Sequence, residues 1–260
     1  MKKYPFLLFF LLISTLEMAR VTIINGLTHI HSLKPGSTTK GQLILRNDSK
    51  KEARVVVYKQ DLSSICDKQI EYLEEGSQPR SLSKMLRTVV DEKVLVPQEE
   101  FVLPYLIDTP PNQLENGSYW SVLMVEVVDP VREEQANGLI VNSLVRYAVQ
   151  IIGHLGTYQS PILEILKIDA KDLDKSVKTL QVQVKNTQLY MATSKAILEL
   201  YDTTGKKIKT VKSLDKKIYP NSCTQFELQF TDIPKGKYAC ILLVDNGRDM
   251  FGSNVTIDVD

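Results

Sequence analysis

Cysteine is scarce in this sequence of 260 residues, which contains only three. Small exported domains are often built around several disulfides, and three cysteines are too few for such a framework. Cys223 and Cys240 lie in the same half of the chain, but the apolar alternation places them on opposite faces. We therefore expect free thiols rather than a bridge between these two. Cys66 stands in a polar stretch without a nearby histidine, which argues against a catalytic thiol.

The sequence also lacks an excess of charge of either sign. Lysine and arginine total 32 and aspartate and glutamate 31, which gives a formal net charge of +1. No global field therefore favours nucleic acid or an anionic membrane surface as a partner. The lysines of residues 202–220 form one basic stretch, which we interpret as a solvated strand edge.

Motifs for catalysis or cofactor binding are missing as well. The sequence has no glycine-rich phosphate loop, no nucleophile elbow and no metalloprotease helix. His29 and His31 share one side of a predicted strand, but two ligands without an acidic or cysteine partner make a poor metal site. A single tryptophan, Trp120, cannot form an aromatic platform for carbohydrate. We predict a protein that is not an enzyme and that uses no cofactor, metal or small-molecule substrate.

The N-terminal residues are typical of a secretory signal. Lys2 and Lys3 precede the apolar run FLLFFLLI at residues 6–13, as in the charged and hydrophobic regions of a signal peptide. No later run reaches the roughly 20 apolar residues that a membrane-spanning helix needs. We predict a signal peptide over residues 1–19 and an exported chain, periplasmic or at the cell surface, that does not span the membrane after signal removal.

Short strands bounded by turn residues fill the rest of the sequence, and residues 81–92 are only a weak helical candidate. The predicted strands are 20–24, 28–33, 39–46, 52–60, 85–90, 100–107, 118–128, 139–152, 162–169, 178–186, 194–202, 206–212, 223–230, 237–244 and 253–259. Gly156 and Pro161 interrupt an apolar run between the two halves. The fold class is therefore all-β, with two immunoglobulin-like β-sandwich domains in tandem over residues 20–155 and 156–260.

One predicted strand, residues 118–128, is apolar on both faces. Trp120, Val122 and Met124 point one way, and Tyr119, Leu123 and Val125 are among the residues that point the other way. A strand with one wet face alternates apolar with polar residues, which this strand barely does. Either the fold covers both faces, or one face is kept for a partner.

Several stretches resemble a known family. LKPGSTTKGQLILRNDSKKEARVVVYKQDLS (33–63), VPQEEFVLPYLIDTPPNQLENGSYWSVLMVEVVDP (96–130) and GLIVNSLVRYAVQIIGHL (138–155) resemble successive strands of periplasmic pilus chaperones of the PapD-like superfamily. The second half, with AILELYDTTGKKIKTV, PNSCTQFELQF and IPKGKYACILLVDNG in that order, is also similar to the second domain of cell-surface proteins that bind WxL-type cell-wall proteins. Together these resemblances cover residues 20–260.

The chaperone resemblance implies a protein partner, another exported or surface protein, bound by strand addition along the last strand of the first domain. Ile140 and Leu144 are then the apolar contacts of that strand. Arg146 and Arg20 are counterparts, by position, of the two basic residues with which the family anchors its partner's carboxylate. Trp120, Val122 and Met124 extend the partner surface if they share this outer face.

Two alternatives stay open. The second domain, or residues 63–82, covers these apolar side chains; or the protein is a structural or adhesive component of a cell-surface complex that binds through sandwich faces or loops. The backbone of residues 139–147 discriminates between the mechanisms, because strand addition requires that one of its sides be unpaired.

Overall fold

The computed structural model describes residues 21–66, 68, 70–112, 114–134, 140–172 and 177–259. These residues contain eighteen strands and no helix, so none of them forms a helix that could cross a membrane. The strands are β1 (Val21–Ile23), β2 (Thr28–Leu33), β3 (Thr38–Asn47), β4 (Ala53–Ser63), β5 (Glu71–Leu73), β6 (Leu86–Thr88), β7 (Glu92–Leu95), β8 (Glu100–Asp108), β9 (Gly117–Glu134), β10 (Ile140–Leu155), β11 (Leu163–Asp172), β12 (Val177–Asn186), β13 (Ala192–Tyr201), β14 (Lys207–Lys212), β15 (Lys216–Ile218), β16 (Cys223–Thr231), β17 (Gly236–Asp245) and β18 (Met250–Val259).

The first ten strands form two sheets that face each other. One sheet has the order β1-β3-β8-β6, and the other has the order β2-β10-β9-β4-β5, with β7 also paired to β4. Alternate residues of each strand enter one apolar core, as the period of two requires. Members of that core include Leu43, Leu45, Val55, Leu103, Ile107, Leu123, Val125, Val149 and Ile151. We call this unit the first sandwich.

The remaining strands form a second sandwich with its own core. Its sheets have the orders β11-β12-β16 and β14-β13-β17-β18, with β15 paired to β13. Its core includes Val182, Val184, Leu198, Phe226, Leu228, Cys240 and Leu242. No sheet in the described residues joins strands of the two halves. The predicted fold class, two tandem β-sandwiches, is therefore confirmed, whereas the boundary between residues 155 and 156 stays a prediction.

Each of the fifteen predicted strands overlaps a strand of the structure. The predicted and observed strands differ mainly in three short strands and in the length of β9. Three short strands were not predicted, β5, β7 and β15. Each has only three or four residues, too few to show a period. Strand β9 also continues to Glu134, through residues that the sequence analysis assigned to a connection. The pairing of β9 with β10 is irregular between Ser143 and Val145, opposite a stretch of β9 that includes Pro130, which has no N–H to donate.

Gly41 shows how tightly the first sandwich is packed. It lies opposite Tyr105 in the pairing of β3 with β8. The Tyr105 side chain is fully buried, and its ring occupies the space that a Cβ atom on Gly41 would need. The hydroxyl of Tyr105 reaches His31 Nε2 at 2.8 Å. A side chain at position 41 must therefore displace a buried aromatic ring.

We expect Gly41→Ala to lower the free energy of unfolding by about 1–3 kcal/mol, the usual cost of overpacking a core. Urea denaturation measures the change. Lys40→Ala, at the neighbouring exposed position of β3, is the matched control and should change stability by less than about 0.5 kcal/mol. Equal midpoints for the two variants would show that Tyr105 moves aside without cost.

A disulfide joins the two sandwiches. Cys66, in the segment between β4 and β5, is bonded to Cys223, the first residue of β16, and Cys240 is free and buried. The expectation of free thiols was therefore wrong for Cys223, whereas Cys240 is free and does not bridge Cys223, as predicted. That expectation depended on which face of a sheet each cysteine occupies within one half of the chain. The bond forms between the two halves, and the alternation of faces within one half does not predict such contacts. A disulfide of this kind is typical of an oxidising, extracytoplasmic compartment.

Candidate functional site

A third apolar cluster lies between the two sandwiches. Its members from the first sandwich are Leu62, Trp120, Val122, Met124 and Ile152, and its members from the second are Met191 and Tyr219. The Trp120 and Tyr219 rings stack with their centroids 4.6 Å apart and an interplanar angle of 26°. The indole Nε1 of Trp120 donates to the Leu62 carbonyl at 2.9 Å. This cluster fixes how the sandwiches meet.

The cluster answers why β9 is apolar on both faces. One face contributes to the core of the first sandwich, and the other is covered mainly by the second sandwich. Trp120, Val122 and Met124 are only 7%, 0% and 2% exposed. The prediction that these three residues contact a partner is therefore wrong. The structure shows the alternative, in which the second domain covers them.

The backbone of β10 meets the requirement for strand addition. β10 pairs with β9 along its whole length, from Ile140 to Leu155. Its other side pairs with β2, in parallel, only from Gln150 to Leu155. Among the described residues, no strand pairs with that side between Ile140 and Val149. We call this ten-residue stretch the open edge.

Of the predicted contact residues Leu144, Ile140 and Arg20, only Leu144 has a described side chain. Leu144 lies in the middle of the open edge and is 51% exposed, in agreement with an apolar contact available to a partner. Ile140 is the first residue of β10, but its side chain lies outside the described part of the chain. Arg20 also lies outside the described residues.

Arg146 has a partner within the first sandwich. Its guanidinium contacts Glu126 Oε2 through Nε at 2.8 Å and through Nη2 at 2.7 Å. The same carboxylate oxygen accepts the Tyr58 hydroxyl at 3.0 Å. Because Glu126 already neutralises it, Arg146 is less suited to anchor a carboxylate than the sequence indicated.

A cleft of about 570 Å³ lies between the sandwiches, where the open edge ends. Its lining residues are Ser64, Lys68, Ile70, Gln150, Lys216, Lys217, Tyr219, Cys223, Thr224 and Gln225. Of these described lining residues three are lysines and none is acidic, so this part of the cleft suits an anionic group. We call it the lysine cleft.

Two residues of the second sandwich define the chemistry of the lysine cleft. Burial lowers the pKa of Lys217, because a half-buried ammonium loses part of its hydration. Burial raises the pKa of Tyr219, whose hydroxyl donates to Gln150 Oε1 at 2.8 Å. Local patterning indicates a solvated edge for the lysines of residues 202–220, and only the docking of the sandwiches places Lys216 and Lys217 at a cleft.

Each of the three histidines has a hydrogen-bond partner within the fold. No group of three potential metal ligands occurs among the described residues. His31 is held by Tyr105 within the first sandwich, and burial, with a smaller contribution from His29, lowers the pKa of His31. His154 lies at the interface of the sandwiches, and burial lowers its pKa too.

Comparison with known proteins gives structural neighbours only. No protein-family model matches the chain, and no curated protein matches its sequence. The solved structures similar to it include fimbrial chaperones. One is the class 5 fimbriae chaperone CfaA, with 14% identity, 90% of this chain and 98% of that chain covered, and a TM-score of 0.48. Another is the Escherichia coli chaperone DraB, with 12% identity, 92% and 99% coverage, and a TM-score of 0.44.

A third similar structure is a chain of the CsuC–CsuE chaperone–tip adhesion subunit complex of Acinetobacter baumannii, with 12% identity, 86% and 94% coverage, and a TM-score of 0.46. These similar structures are of the kind that the sequence resemblance predicted, but at such identities and TM-scores they carry no argument about family or function. The resemblance of the second half to WxL-binding surface proteins stays a prediction, and the assignment of a function depends on the site itself.

Proposed function

We propose that this chain is an exported binding protein, not an enzyme, that captures an extended segment of another exported protein by strand addition at the open edge, as a chaperone-like factor in the assembly of a surface structure. The observation that carries this proposal is the pairing of β10, which has β9 on one side and, within the described part of the chain, no strand on the other from Ile140 to Val149. An edge with unpaired N–H and C=O groups is a template for an additional strand.

The open edge lacks the usual protection against pairing. Proteins blunt exposed edges with lysine, proline or very short strands. Residues 140–149 read IVNSLVRYAV and contain neither lysine nor proline. The one charged side chain of this stretch, Arg146, is neutralised by Glu126. An incoming strand therefore meets a long edge with Leu144 exposed at its centre.

The lysine cleft suits the end of such a segment. A strand that runs along the open edge must leave the sheet at Gln150, where β2 takes its place. Gln150 also lines the lysine cleft. Lys68, Lys216 and Lys217 can there neutralise a carboxylate of the partner, which is the task that the sequence analysis gave to Arg146 and Arg20.

We expect Leu144→Asp to weaken partner binding at least tenfold, because burying a leucine contributes roughly 1.5–3 kcal/mol and a buried carboxylate costs more. A photo-crosslinking amino acid at position 144 first identifies the partner in the native envelope fraction. Titration of the purified partner with the wild-type protein and the variant then gives the affinity ratio. Val102→Asp, at an exposed position of β8 in the other sheet, is the matched control.

The mapped crosslink also discriminates between mechanisms. Strand addition requires that the crosslinked partner peptide be an extended segment with alternating apolar residues. Crosslinking that occurs equally from position 102, or equal affinity of Leu144→Asp and the wild-type protein, would disprove strand addition at the open edge and favour an adhesive component that binds through other surfaces.

A further inference from the structure

Three residues connect the two sandwiches through one chain of hydrogen bonds. The Met191 N–H donates to Ser118 Oγ at 2.7 Å, and Ser118 Oγ lies 2.8 Å from His154 Nδ1. Ser118 belongs to β9 and His154 to β10, whereas Met191 directly precedes β13. The Ser118 N–H also donates to the carbonyl of Leu189 at 2.8 Å. The loop of residues 189–191 is thereby held against the first sandwich.

The donors and acceptors around Ser118 favour one protonation state of His154. A backbone N–H can only donate, so Ser118 Oγ accepts from Met191. The hydroxyl of Ser118 has one proton of its own, and its remaining contact is His154 Nδ1. Nδ1 is the one acceptor that the structure shows for this proton among the described residues, so the arrangement favours a neutral imidazole with its proton on Nε2.

The groups around His154 do not favour a positive charge. Tyr158 and Tyr190 face the ring, with centroids 5.0 and 6.0 Å away, and β2 places Ser32 opposite His154. Two arginines lie near these tyrosines. The Arg248 guanidinium lies 5.5 Å from the Tyr158 ring centroid. On the Tyr190 side lies Arg80, which is paired with Glu115 at 3.2 Å.

Protonation of His154 breaks the chain of hydrogen bonds. With a proton on Nδ1, both His154 and Met191 donate to Ser118 Oγ, and the hydroxyl proton of Ser118 loses its acceptor. A buried hydroxyl proton without an acceptor and a partly buried cation are both unfavourable. Separation of the 189–191 loop from the first sandwich relieves both.

We propose that His154 is a pH-dependent latch between the sandwiches, closed by the neutral imidazole and opened by its protonation. Met191 packs in the same cluster as Trp120 and Tyr219, so opening the latch uncovers Trp120 beside the lysine cleft. Gly156, in the left-handed region at φ +81°, follows β10 and can accommodate the rotation. The Cys66–Cys223 bond keeps the sandwiches attached.

The direction of the pH dependence follows from linkage. Burial holds the pKa of His154 in the closed state below its ordinary value of 6.5. The closed state therefore binds fewer protons than the open state. Closure is fully favoured above pH 6.5 and weakens as the pH falls towards the lower pKa of the closed state. Within that window, each fall of one pH unit raises the ratio of open to closed protein by up to tenfold.

Trp120 is the only tryptophan in the sequence and reports directly on the latch. Lowering the pH of the oxidised, full-length protein from about 8 to about 5, the range in which histidine titrates, should shift Trp120 emission reversibly to longer wavelength. The far-ultraviolet circular dichroism should not change, because each sandwich stays folded.

Two variants isolate His154. His154→Asn places an amide oxygen near the Nδ1 position and does not titrate, so the emission shift should be lost. His31→Gln, at a histidine held by Tyr105 within the first sandwich, should retain it. A shift that persists in His154→Asn or disappears in His31→Gln would overturn the proposal.

Nuclear magnetic resonance provides a test without substitution, because the sequence contains only three histidines. At pH 8, in roughly the range where the neutral ring dominates, His154 should have its proton on Nε2 and should titrate below 6.5. A proton on Nδ1 at that pH, or a pKa above 6.5, would also overturn the latch.

Discussion

Replacing both Cys66 and Cys223 with serine should lower the free energy of unfolding by about 2–4 kcal/mol, the typical contribution of one disulfide. The bond closes a long loop, since the two cysteines are 157 residues apart in sequence. Long loops lose the most conformational entropy when the unfolded chain is cross-linked. Guanidinium denaturation of the oxidised wild-type protein and of the double variant measures the difference.

Reduction and a third cysteine supply the controls for this prediction. A reducing agent should shift the wild-type midpoint to that of the double variant and leave the variant itself unchanged. Cys240→Ala removes the free, buried thiol and should keep the response to reduction. Coincident wild-type and double-variant midpoints under oxidising conditions would show that the bond contributes nothing to stability.

The sandwich architecture was predictable because it depends on a local signal. In β16, the buried residues Phe226, Leu228 and Phe230 alternate with exposed Gln225, Glu227 and Gln229. Such alternation specifies both a strand and its inward face. The same alternation places Val149 and Ile151 of β10 in the core of the first sandwich.

The site was less predictable because it depends on how the sandwiches dock. The residues next to Trp120 in sequence do not determine whether a partner or Tyr219 covers its ring. Both alternatives are therefore compatible with the sequence. The Cys66–Cys223 bond and the lysine cleft have the same origin, since each combines residues of both sandwiches. The sequence did contain one signal, the two apolar faces of β9, which required a second covered surface.

The open edge of β10 and the buried outer face of β9 have complementary roles. The second sandwich covers the outer face of β9 at Trp120, Val122 and Met124, but none of its described strands pairs with the edge of β10 from Ile140 to Val149. A partner strand can therefore join the sheet without displacing the second sandwich. We infer that the interface cluster positions the lysine cleft beside the open edge rather than contacting the partner itself.

Trp120→Ala should have the largest effect on stability, a loss of about 3–5 kcal/mol, as for other buried tryptophans that are truncated to alanine. The substitution removes the ring that stacks on Tyr219 and the donor to the Leu62 carbonyl. Because this ring lies between the sandwiches, we expect their unfolding, cooperative in the wild-type protein, to separate into two transitions. Calorimetry of the oxidised protein measures both effects.

A double-mutant cycle separates the stacking from the rest of the loss. Trp120→Phe keeps an aromatic ring but leaves the buried Leu62 carbonyl without its donor, at a cost of about 1–3 kcal/mol. Trp120→Ala combined with Tyr219→Ala should be less destabilising than the sum of the single variants by about 0.5–1.5 kcal/mol, the usual coupling of an aromatic pair. Strict additivity would mean that the rings do not stabilise each other. A single transition in Trp120→Ala would mean that the disulfide alone is enough to couple the sandwiches.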